Sequence, residues 1–232
     1  SYKQFIRQIK PGGKLIYRHG LPLDDVAEEL RATGRQALTF GIDEGDYEAY
    51  NVRVENGQMA FGIKSSIIDW SELRLNYPGR HNVENATAAW GAVLCAGGFT
   101  PEMPKALADF RGVKRRFEYI VRKPGCVYVD DYAHHPTELK AVISAARMLY
   151  PDRKITGIFQ PHLYTRTRDF ADGFAQALDM LDTCILLPVY PARELPIEGV
   201  QSEMILQKMN LSDKKVVSKA ELLIELKNRT PD

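Results

Sequence analysis

Two different patterns of apolar and polar positions divide the chain near residues 112–114. In the first part, short apolar runs predict buried strands around a helix, and Asn56 and Gly57 separate two alternating segments. Asn-Gly is the pair favoured in two-residue hairpin turns, so the pattern predicts a β-hairpin there. The elements predicted for this part are strands at 15–17, 37–40, 50–54, 59–64 and 73–75 and helices at 23–31 and 82–96.

From Phe117 onward, short apolar strands and amphipathic helices alternate regularly. A strand followed by a helix, four times in succession, is typical of a parallel sheet covered by helices on both faces. We therefore expect an α/β protein with two domains, residues 1–113 and 114–232. The elements predicted for the second domain are strands at 127–129, 155–159, 184–187 and 216–217 and helices at 138–148, 170–181, from about 202, and at 220–227.

The composition is that of a globular protein with an almost neutral charge. Of the 232 residues, 44% are hydrophobic, and 31 Lys and Arg face 30 Asp and Glu, which argues against a general nucleic-acid or membrane-surface binder. The three cysteines form no C-x-x-C pair, a pattern that fits reduced thiols in a cytoplasmic protein. We expect neither a signal peptide, because no long apolar stretch follows Ser1, nor a membrane span, because no apolar run is long enough; the missing initiator Met fits a cut fragment.

The segment 129–138 runs from a predicted strand into a predicted helix and carries two acids and two histidines. Pro136 suits the first helical position, and Glu138 suits the first turn. In open α/β sheets ligands bind where strands end and helices begin. An acid here could therefore accept hydrogen bonds from ribose hydroxyls, and a histidine could donate one to an anion. Two alternatives stay open: Asp130 and Asp131 cap a turn beside surface histidines, or these acids and histidines bind a metal.

The segment 159–169 also lies between a predicted strand and a predicted helix. His162, Arg166 and Arg168 make it a local cluster of positive charge in a nearly neutral chain. Guanidinium groups bind carboxylate and phosphate through paired hydrogen bonds, so the cluster predicts an anion site. The alternative for Arg168 is a simple ion pair with Asp169.

Two further segments carry weaker signals. Asn82 and Asn85 are one helical turn apart, so their amides could read the edge of an adenine, although helix capping explains them as well. The cations of 114–116 at the domain junction could hold a nucleotide phosphate, or they form a solvated basic turn. No G-x-x-x-x-G-K-[ST] phosphate loop is present, since Leu15 follows Gly12, Gly13 and Lys14.

Taken together, these segments resemble sequences that occur in the same order in the Mur ligases. The resembling segments are 78–82 with Asn85, 115–117, 130–138, and 159–162 with 164–169. The last of them, with 189–192 and 196–197 after it, is similar to the members that add L-alanine to UDP-N-acetylmuramate. The resemblance covers nearly the whole chain, most securely residues 77–202. Leu163 stands where relatives often carry Arg, and Arg193 stands where they often carry Gly.

The resemblance implies a fold and a position within a three-domain enzyme. Residues 1–113 would be the C-terminal half of the central ATP domain, of the α/β ATPase type. Residues 114–232 would be most of a Rossmann-like C-terminal domain with a mostly parallel sheet and helices on both faces. The phosphate loop, the magnesium-binding Glu and His and the UDP domain are then expected upstream, and a final glycine-rich strand is expected after Asp232.

The resemblance also implies a reaction and a set of contact residues. ATP with Mg²⁺ would phosphorylate the carboxylate of UDP-N-acetylmuramate, and the amine of L-alanine would displace the phosphate. Arg116, Asp131 and His134 would take part in catalysis, and no metal ligand is expected in this chain. The implied contacts are His81, Asn82 and Asn85 for adenine, Arg116 for the ATP phosphates, Asp131 for the ribose, and Tyr132, His134, His162 and Arg166 for the amino acid.

Two other functions remain open at this stage. One is a recycling ligase of the same superfamily, which attaches a whole peptide to the same sugar nucleotide. The other is a non-catalytic nucleotide-binding module. On all three interpretations the partners are small molecules rather than nucleic acid or membrane. We expect the 232-residue chain by itself to lack ligase activity, because it has no phosphate loop.

Overall fold

The computed structural model describes residues 2–228, and the chain folds into two compact units, 1–111 and 112–232. Strands and helices occur in both units, so the expected α/β class is confirmed. Within residues 2–228, no helix has the length and apolar character required to cross a membrane.

The first unit contains a five-stranded mixed sheet in the order β1-β2-β3-β4-β5. β1, β2 and β3 run parallel, whereas β4 and β5 are each antiparallel to the preceding strand. Its strands are β1 Lys14–Arg18, β2 Gln36–Ile42, β3 Tyr47–Glu55, β4 Gln58–Lys64 and β5 Asp69–Leu75. Its helices are α1 Tyr2–Ile6, α2 Asp24–Ala32, α3 Arg80–Cys95 and α4 Met103–Asp109.

The hairpin predicted from Asn56 and Gly57 is confirmed. These two residues have φ angles of 52° and 75° and connect β3 to β4, with Glu55 paired to Gln58. A two-residue turn with positive φ at both positions matches the twist of antiparallel strands, and Asn and Gly tolerate that conformation.

The core of the first unit lies between the sheet and α3. Val83 and Trp90 on α3 are buried, and they belong to one cluster with Phe61 and Leu73 of the antiparallel strands. The Trp90 ring meets Trp70 edge to face, with centroids 4.8 Å apart. This packing fixes α3 against the sheet and thereby sets the direction in which the start of α3 points.

The second unit contains a three-stranded parallel sheet in the order β10-β9-β8 and a separate antiparallel ribbon of β6 and β7. Its core includes Phe159, Phe174, Leu178, Leu186 and Ile205. Its strands are β6 Glu118–Arg122, β7 Val127–Asp130, β8 Thr156–Phe159, β9 Thr183–Leu186 and β10 Lys214–Val216. Its helices are α5 Pro136–Leu149, α6 Tyr164–Asp169, α7 Ala171–Leu178, α8 Ser202–Lys208 and α9 Lys219–Asn228.

The expectation that the strand at 127–129 belongs to the parallel sheet is wrong for the described residues. This strand, β7, pairs antiparallel with β6, a strand that the pattern did not predict. The burial of the two kinds of strand explains the difference. All four residues of β9 are buried, as expected for a strand covered on both faces, whereas Tyr128 on β7 is 51% exposed.

The helix predicted at 170–181 is confirmed as α7, with the shorter bounds Ala171–Leu178, whereas the pattern did not predict the short helix α6 before it. Two helices, α6 and α7, meet at Phe170, whose φ and ψ of −117° and 15° are not helical. The Phe170 ring leaves the core and packs edge to face on His135, with centroids 4.8 Å apart. The helical pattern of apolar residues holds for Phe174, Ala177 and Leu178, which are buried on α7.

Candidate functional site

The start of α5 is fixed by a reciprocal set of hydrogen bonds. The backbone amides of His134 and His135 both donate to Oε2 of Glu138, at 2.9 and 3.2 Å. The Thr137 amide donates to Nδ1 of His135, and Pro136 occupies the first helical position, as predicted. This capping box satisfies amides that a helix start leaves unpaired and holds both histidines at the end of the β7 segment.

Asp131 ties its own loop to the segment that follows the unit boundary. Its Oδ2 accepts a hydrogen bond from the amide of Phe117 at 2.8 Å, and its Oδ1 accepts one from the amide of Ala133 at 2.7 Å. The amide of Tyr132 donates to the carbonyl of Arg115 at 2.7 Å. Both carboxylate oxygens therefore hold the backbone, and each keeps a further lone pair for a ligand hydroxyl.

The basic segment beside Asp131 has an unusual backbone. Arg115 and Phe117 have φ angles of 57° and 46°, a region that residues other than glycine rarely adopt. Phe117 is buried, and the Arg115 guanidinium lies 4.6 Å from the centroid of the Tyr132 ring. Strained conformations persist where the surroundings over-determine them, and Arg116 lies between these two anchored residues.

The segment after β8 carries His162 and Arg166. Leu163 has a φ of 73° and precedes α6, and its amide donates to the carbonyl of Tyr190 at 2.9 Å. The rings of His162 and Tyr190 are stacked, with centroids 5.5 Å apart. Arg166 is partly buried, and among residues 2–228 its guanidinium has no hydrogen-bond or ion-pair partner.

Three of the sequence-predicted residues share one electrostatic environment. Burial lowers the pKa of His162, and the charges of Arg166 and His134 lower it further, while the Glu194 carboxylate opposes the shift. A lowered pKa keeps the His162 ring neutral near neutral pH, so one of its nitrogens can accept a hydrogen bond. The charges of His134, after β7, and of Arg166, after β8, thus both act on His162.

The remaining predicted residues of the second unit lie near this group. Tyr132 is 47% exposed, and its ring centroid is 5.1 Å from that of His134. The charge of Arg116 contributes to lowering the pKa of Glu138 in the first turn of α5. Arg168, by contrast, pairs with Asp169 at 2.8 Å, as its alternative interpretation expected.

The predicted adenine contacts lie in the first unit, at the start of α3. Asn82 is buried, and its amide donates to the carbonyl of Pro78 at 2.6 Å. The exposed Asn85 donates to Oδ1 of Asn82 at 3.4 Å, and His81 is partly buried. Asn82 therefore shapes the helix start, whereas the exposed amide of Asn85 is accessible to a ligand.

Sequence reasoning missed Tyr190 and Glu194, which contact the segment after β8. Both follow β9, the strand that pairs with β8, so the rule that ligands bind at the carboxyl ends of neighbouring parallel strands could have found them. A metal centre receives no support from the described part of the chain, where no three His, Cys, Asp or Glu side chains are grouped to hold an ion.

Two family models match most of the chain. The model of the Mur ligase middle domain matches residues 1–93, and the model of the Mur ligase glutamate ligase domain matches residues 115–230. Similar proteins include a UDP-N-acetylmuramate–L-alanine ligase of Cytophaga hutchinsonii, 46% identical over 97% of this chain and 48% of the relative. The UDP-N-acetylmuramate–L-alanine ligase of Flavobacterium psychrophilum is 44% identical over 98% of this chain and 48% of the relative. The chain thus spans about half the length of these curated relatives.

Solved structures show the same fold at lower identity. The UDP-N-acetylmuramate–alanine ligase of Thermotoga maritima is 24% identical, with a TM-score of 0.70 over 97% of this chain and 55% of that one. The folylpolyglutamate synthase of the same organism is 16% identical, with a TM-score of 0.71 over 97% of this chain and 52% of that one. Both likenesses concern the arrangement of strands and helices.

Proposed function

Because the chain belongs to the Mur ligase family, we propose that it forms the C-terminal half of an ATP-dependent amide ligase that adds L-alanine to UDP-N-acetylmuramate. In this proposal residues 1–113 complete the central ATP domain and residues 114–232 form the Rossmann-like C-terminal domain. The proposed location is the cytoplasm, where both nucleotide substrates are available.

The observation that carries the proposal is the partly buried guanidinium of Arg166. Its charge acts on His162, as does that of His134, and it has no ion-pair or hydrogen-bond partner in the part of the chain that the structure describes. A desolvated cation is costly unless an anion neutralises it, and a carboxylate fits a guanidinium through two parallel hydrogen bonds. We therefore assign the carboxylate of L-alanine to Arg166.

The proposed reaction has two steps. The carboxylate of UDP-N-acetylmuramate takes the γ-phosphoryl group of ATP, which releases ADP, and the alanine amine then attacks the acyl carbon and displaces phosphate. The amine must lose a proton before it attacks. The positive charges around the site disfavour an ammonium there, and neutral His162 offers a hydrogen-bond acceptor. Tyr132 and His134 complete the proposed amino-acid contacts.

The nucleotide contacts are proposed for both units. Asn85 offers its exposed amide to adenine, with His81 and Asn82 at the same helix start. Arg116 offers positive charge to the phosphates, and Asp131 offers its remaining lone pairs to the ribose. Magnesium would neutralise phosphate charge in such a reaction. No magnesium ligand is assigned to this chain, whose described residues group no three His, Cys, Asp or Glu side chains around a common point.

The proposal is tested with the intact ligase that carries this chain. Formation of ADP is measured with UDP-N-acetylmuramate and a panel of L-alanine, glycine, L-serine and the peptide used in recycling. We expect turnover with L-alanine. Turnover with the peptide alone would indicate the recycling ligase, and no turnover with any acceptor would indicate a binding module. The 232-residue chain alone is expected to form no ADP.

The role of Arg166 is tested in the same assay. Arg166→Ala is expected to raise the KM for L-alanine by about tenfold or more, the effect of losing one paired charge contact, with a smaller change in the KM for ATP. Arg168→Ala serves as the control, because Arg168 is exposed and already paired with Asp169. Equal effects of Arg166→Ala on both KM values would rule out the carboxylate contact.

A further inference from the structure

The loop after β9 is joined to the segment after β8 by hydrogen bonds like those between neighbouring strands of a sheet. The amide of Tyr190 donates to the carbonyl of Pro161 at 2.8 Å, and the carbonyl of Tyr190 accepts from the amide of Leu163 at 2.9 Å. In addition, Nε2 of Gln160 donates to the carbonyl of Pro188 at 3.1 Å. These bonds extend the parallel pairing of β8 and β9 beyond the strands themselves.

Glu194 extends this set of hydrogen bonds between the two segments to the start of α6. Its Oε2 accepts a hydrogen bond from the amide of Thr165 at 2.9 Å, and its Oε1 accepts one from the Thr165 hydroxyl. The Thr165 hydroxyl and amide lower the pKa of Glu194, and the charge of Arg166 contributes to the same direction. Glu194 is therefore an anion at neutral pH, with both oxygens already engaged.

The position of Glu194 has a direct consequence for Arg166. The carboxylate is close enough for its charge to act on Arg166, Arg168 and His162. It nevertheless makes no ion pair with Arg166, since both of its oxygens are directed at the preceding residue, Thr165. Glu194 thus fixes the helical turn that carries Arg166 and leaves the guanidinium available for another anion.

The backbone between the Tyr190 contact and the Glu194 contact is strained, so these two contacts hold a conformation that the segment would not keep by itself. Leu163 has a φ of 73°, and a residue with a branched side chain keeps such a conformation only when neighbouring contacts impose it. The carbonyl of Tyr190 accepts a hydrogen bond from the amide of Leu163, and the carboxylate of Glu194 accepts one from the amide of Thr165, two residues later. The turn that separates His162 from Arg166 is therefore held on both sides by the loop after β9.

We propose that Glu194 is a positioning residue for the amino-acid site, acting through Thr165 to orient Arg166 and, together with Tyr190, to keep His162 in place. This inference rests on the proposed function, because Arg166 and His162 are assigned there to the amino acid. It predicts that removing the Glu194 carboxylate weakens amino-acid binding although Glu194 itself does not contact the amino acid.

The first test is kinetic and uses the intact ligase. Glu194→Gln is expected to raise the KM for L-alanine about tenfold while changing the KM for ATP by less than about twofold. Glu194→Asp keeps the charge and is expected to recover part of the loss. Glu198→Gln is the matched control, because Glu198 is an exposed carboxylate of the same loop that has no partner within residues 2–228. A Glu194→Gln enzyme with the KM values of Glu198→Gln would overturn the proposal.

The second test is spectroscopic and uses the 232-residue chain. NMR titration of His162 reports the groups that face it, which are Arg166, His134 and Glu194. If Glu194 keeps His162 in place, Glu194→Gln lets the ring gain solvent, and the pKa of His162 rises toward the ordinary value. If Glu194 acts on His162 only through its charge, the variant removes a nearby negative charge from a ring that stays buried, and the pKa falls. A fall, or no shift, would contradict the positioning role.

A third variant separates this inference from the proposed function. Thr165→Val removes the hydroxyl through which Glu194 acts, and combining it with Glu194→Gln is expected to give less than the sum of the two effects on the KM for L-alanine. If Arg166→Ala changes that KM and the Glu194 variants do not, the positioning role fails and the carboxylate contact stands. If Arg166→Ala itself has no effect on that KM, the proposed function fails first.

Discussion

Oε2 of Glu138 lies 3.2 Å from Nδ1 of His134 and also accepts the hydrogen bond of the His134 backbone amide at 2.9 Å. Burial alone would raise the pKa of Glu138. The His134 amide, the charges of His134 and Arg116 and the His135 amide together hold that pKa below its ordinary value of 4.5. The carboxylate is thus a structural part of the site and stays ionised near neutral pH.

Replacing Glu138 should therefore destabilise the second unit. Glu138→Ala is expected to lower the free energy of unfolding by about 1 kcal/mol, the usual effect of losing a helix cap. The measurement is urea unfolding followed by circular dichroism. Both tryptophans, Trp70 and Trp90, lie in the first unit, so an unchanged fluorescence transition would localise the effect. Glu198→Ala, which removes an exposed carboxylate, should leave both transitions unchanged.

The stability that Glu138 contributes should depend on pH. A carboxylate whose pKa is lower in the folded state stabilises the fold fully above the unfolded pKa, and this stabilisation is lost as the pH falls through the folded pKa. Glu138→Gln keeps a capping side chain without the charge. The difference between this variant and the unmodified chain should disappear as the pH falls through the lowered pKa of Glu138, because the carboxylate is then protonated. A difference that persists in acid would assign the effect to packing.

The protonation of His162 should respond to its neighbours. Arg166→Ala removes a positive charge that disfavours the imidazolium, so the pKa of His162 should rise toward 6.5. Because the folded-state pKa is lowered, neutral His162 contributes stability above the unfolded pKa, and that contribution is lost as the pH falls. NMR titration of the 232-residue chain measures the shift, and Arg168→Ala should leave the pKa of His162 nearly unchanged.

Gly91 on α3 is expected to resist substitution. A Cβ at this position would lie 2.7 Å from the ring of Tyr47, which is buried against the helix. Alanine favours a helix over glycine by about 1 kcal/mol, but overpacking typically costs about 1–3 kcal/mol, so we expect Gly91→Ala to give a small net loss of stability, on the order of 1 kcal/mol. Tryptophan fluorescence during urea unfolding measures it. Adding Tyr47→Leu should reduce the loss caused by Gly91→Ala, and an equal loss in both backgrounds would exclude the contact.

The three cysteines should differ in reactivity. Burial raises the pKa of the Cys184 thiol to about 12, whereas Cys95 and Cys126 are partly exposed. Because the thiolate is the reactive form, a thiol reagent should modify Cys184 in the folded chain far more slowly than after unfolding. Mass spectrometry of the labelled peptides identifies the sites, and rapid labelling of Cys184 in the folded chain would contradict its burial.

Features set by neighbouring residues were predictable from the sequence. Asn56 and Gly57 specify their own turn, and Pro136 with Glu138 specifies the start of α5, because each signal acts within a few residues. The ends of the β7 and β8 segments were predicted to be a site because the residue types there are unusual for buried strands. Their contact roles with ATP and amino acid stay predictions.

Features that depend on distant contacts were not predictable. The pairing of β7 with β6 is different, since it is a local hairpin that the pattern missed although Pro124 and Gly125 are a turn signal. The ring of Phe170, which lies between α6 and α7, contacts that of His135, 35 positions earlier in the chain. Glu194 meets Thr165 across 29 positions, and no periodic pattern records a single hydrogen bond of that kind.

The joint between Tyr190, Leu163 and their neighbours has a consequence for building hybrid ligases. Residues 160–165 and 188–194 share one geometry, although separate stretches of sequence encode them. A hybrid whose exchange point lies between these stretches would take residues 160–165, the turn, from one parent and residues 188–194, the brace that holds it, from the other. Exchange points outside 160–194 keep turn and brace from the same parent, so such hybrids should retain amino-acid selectivity more often.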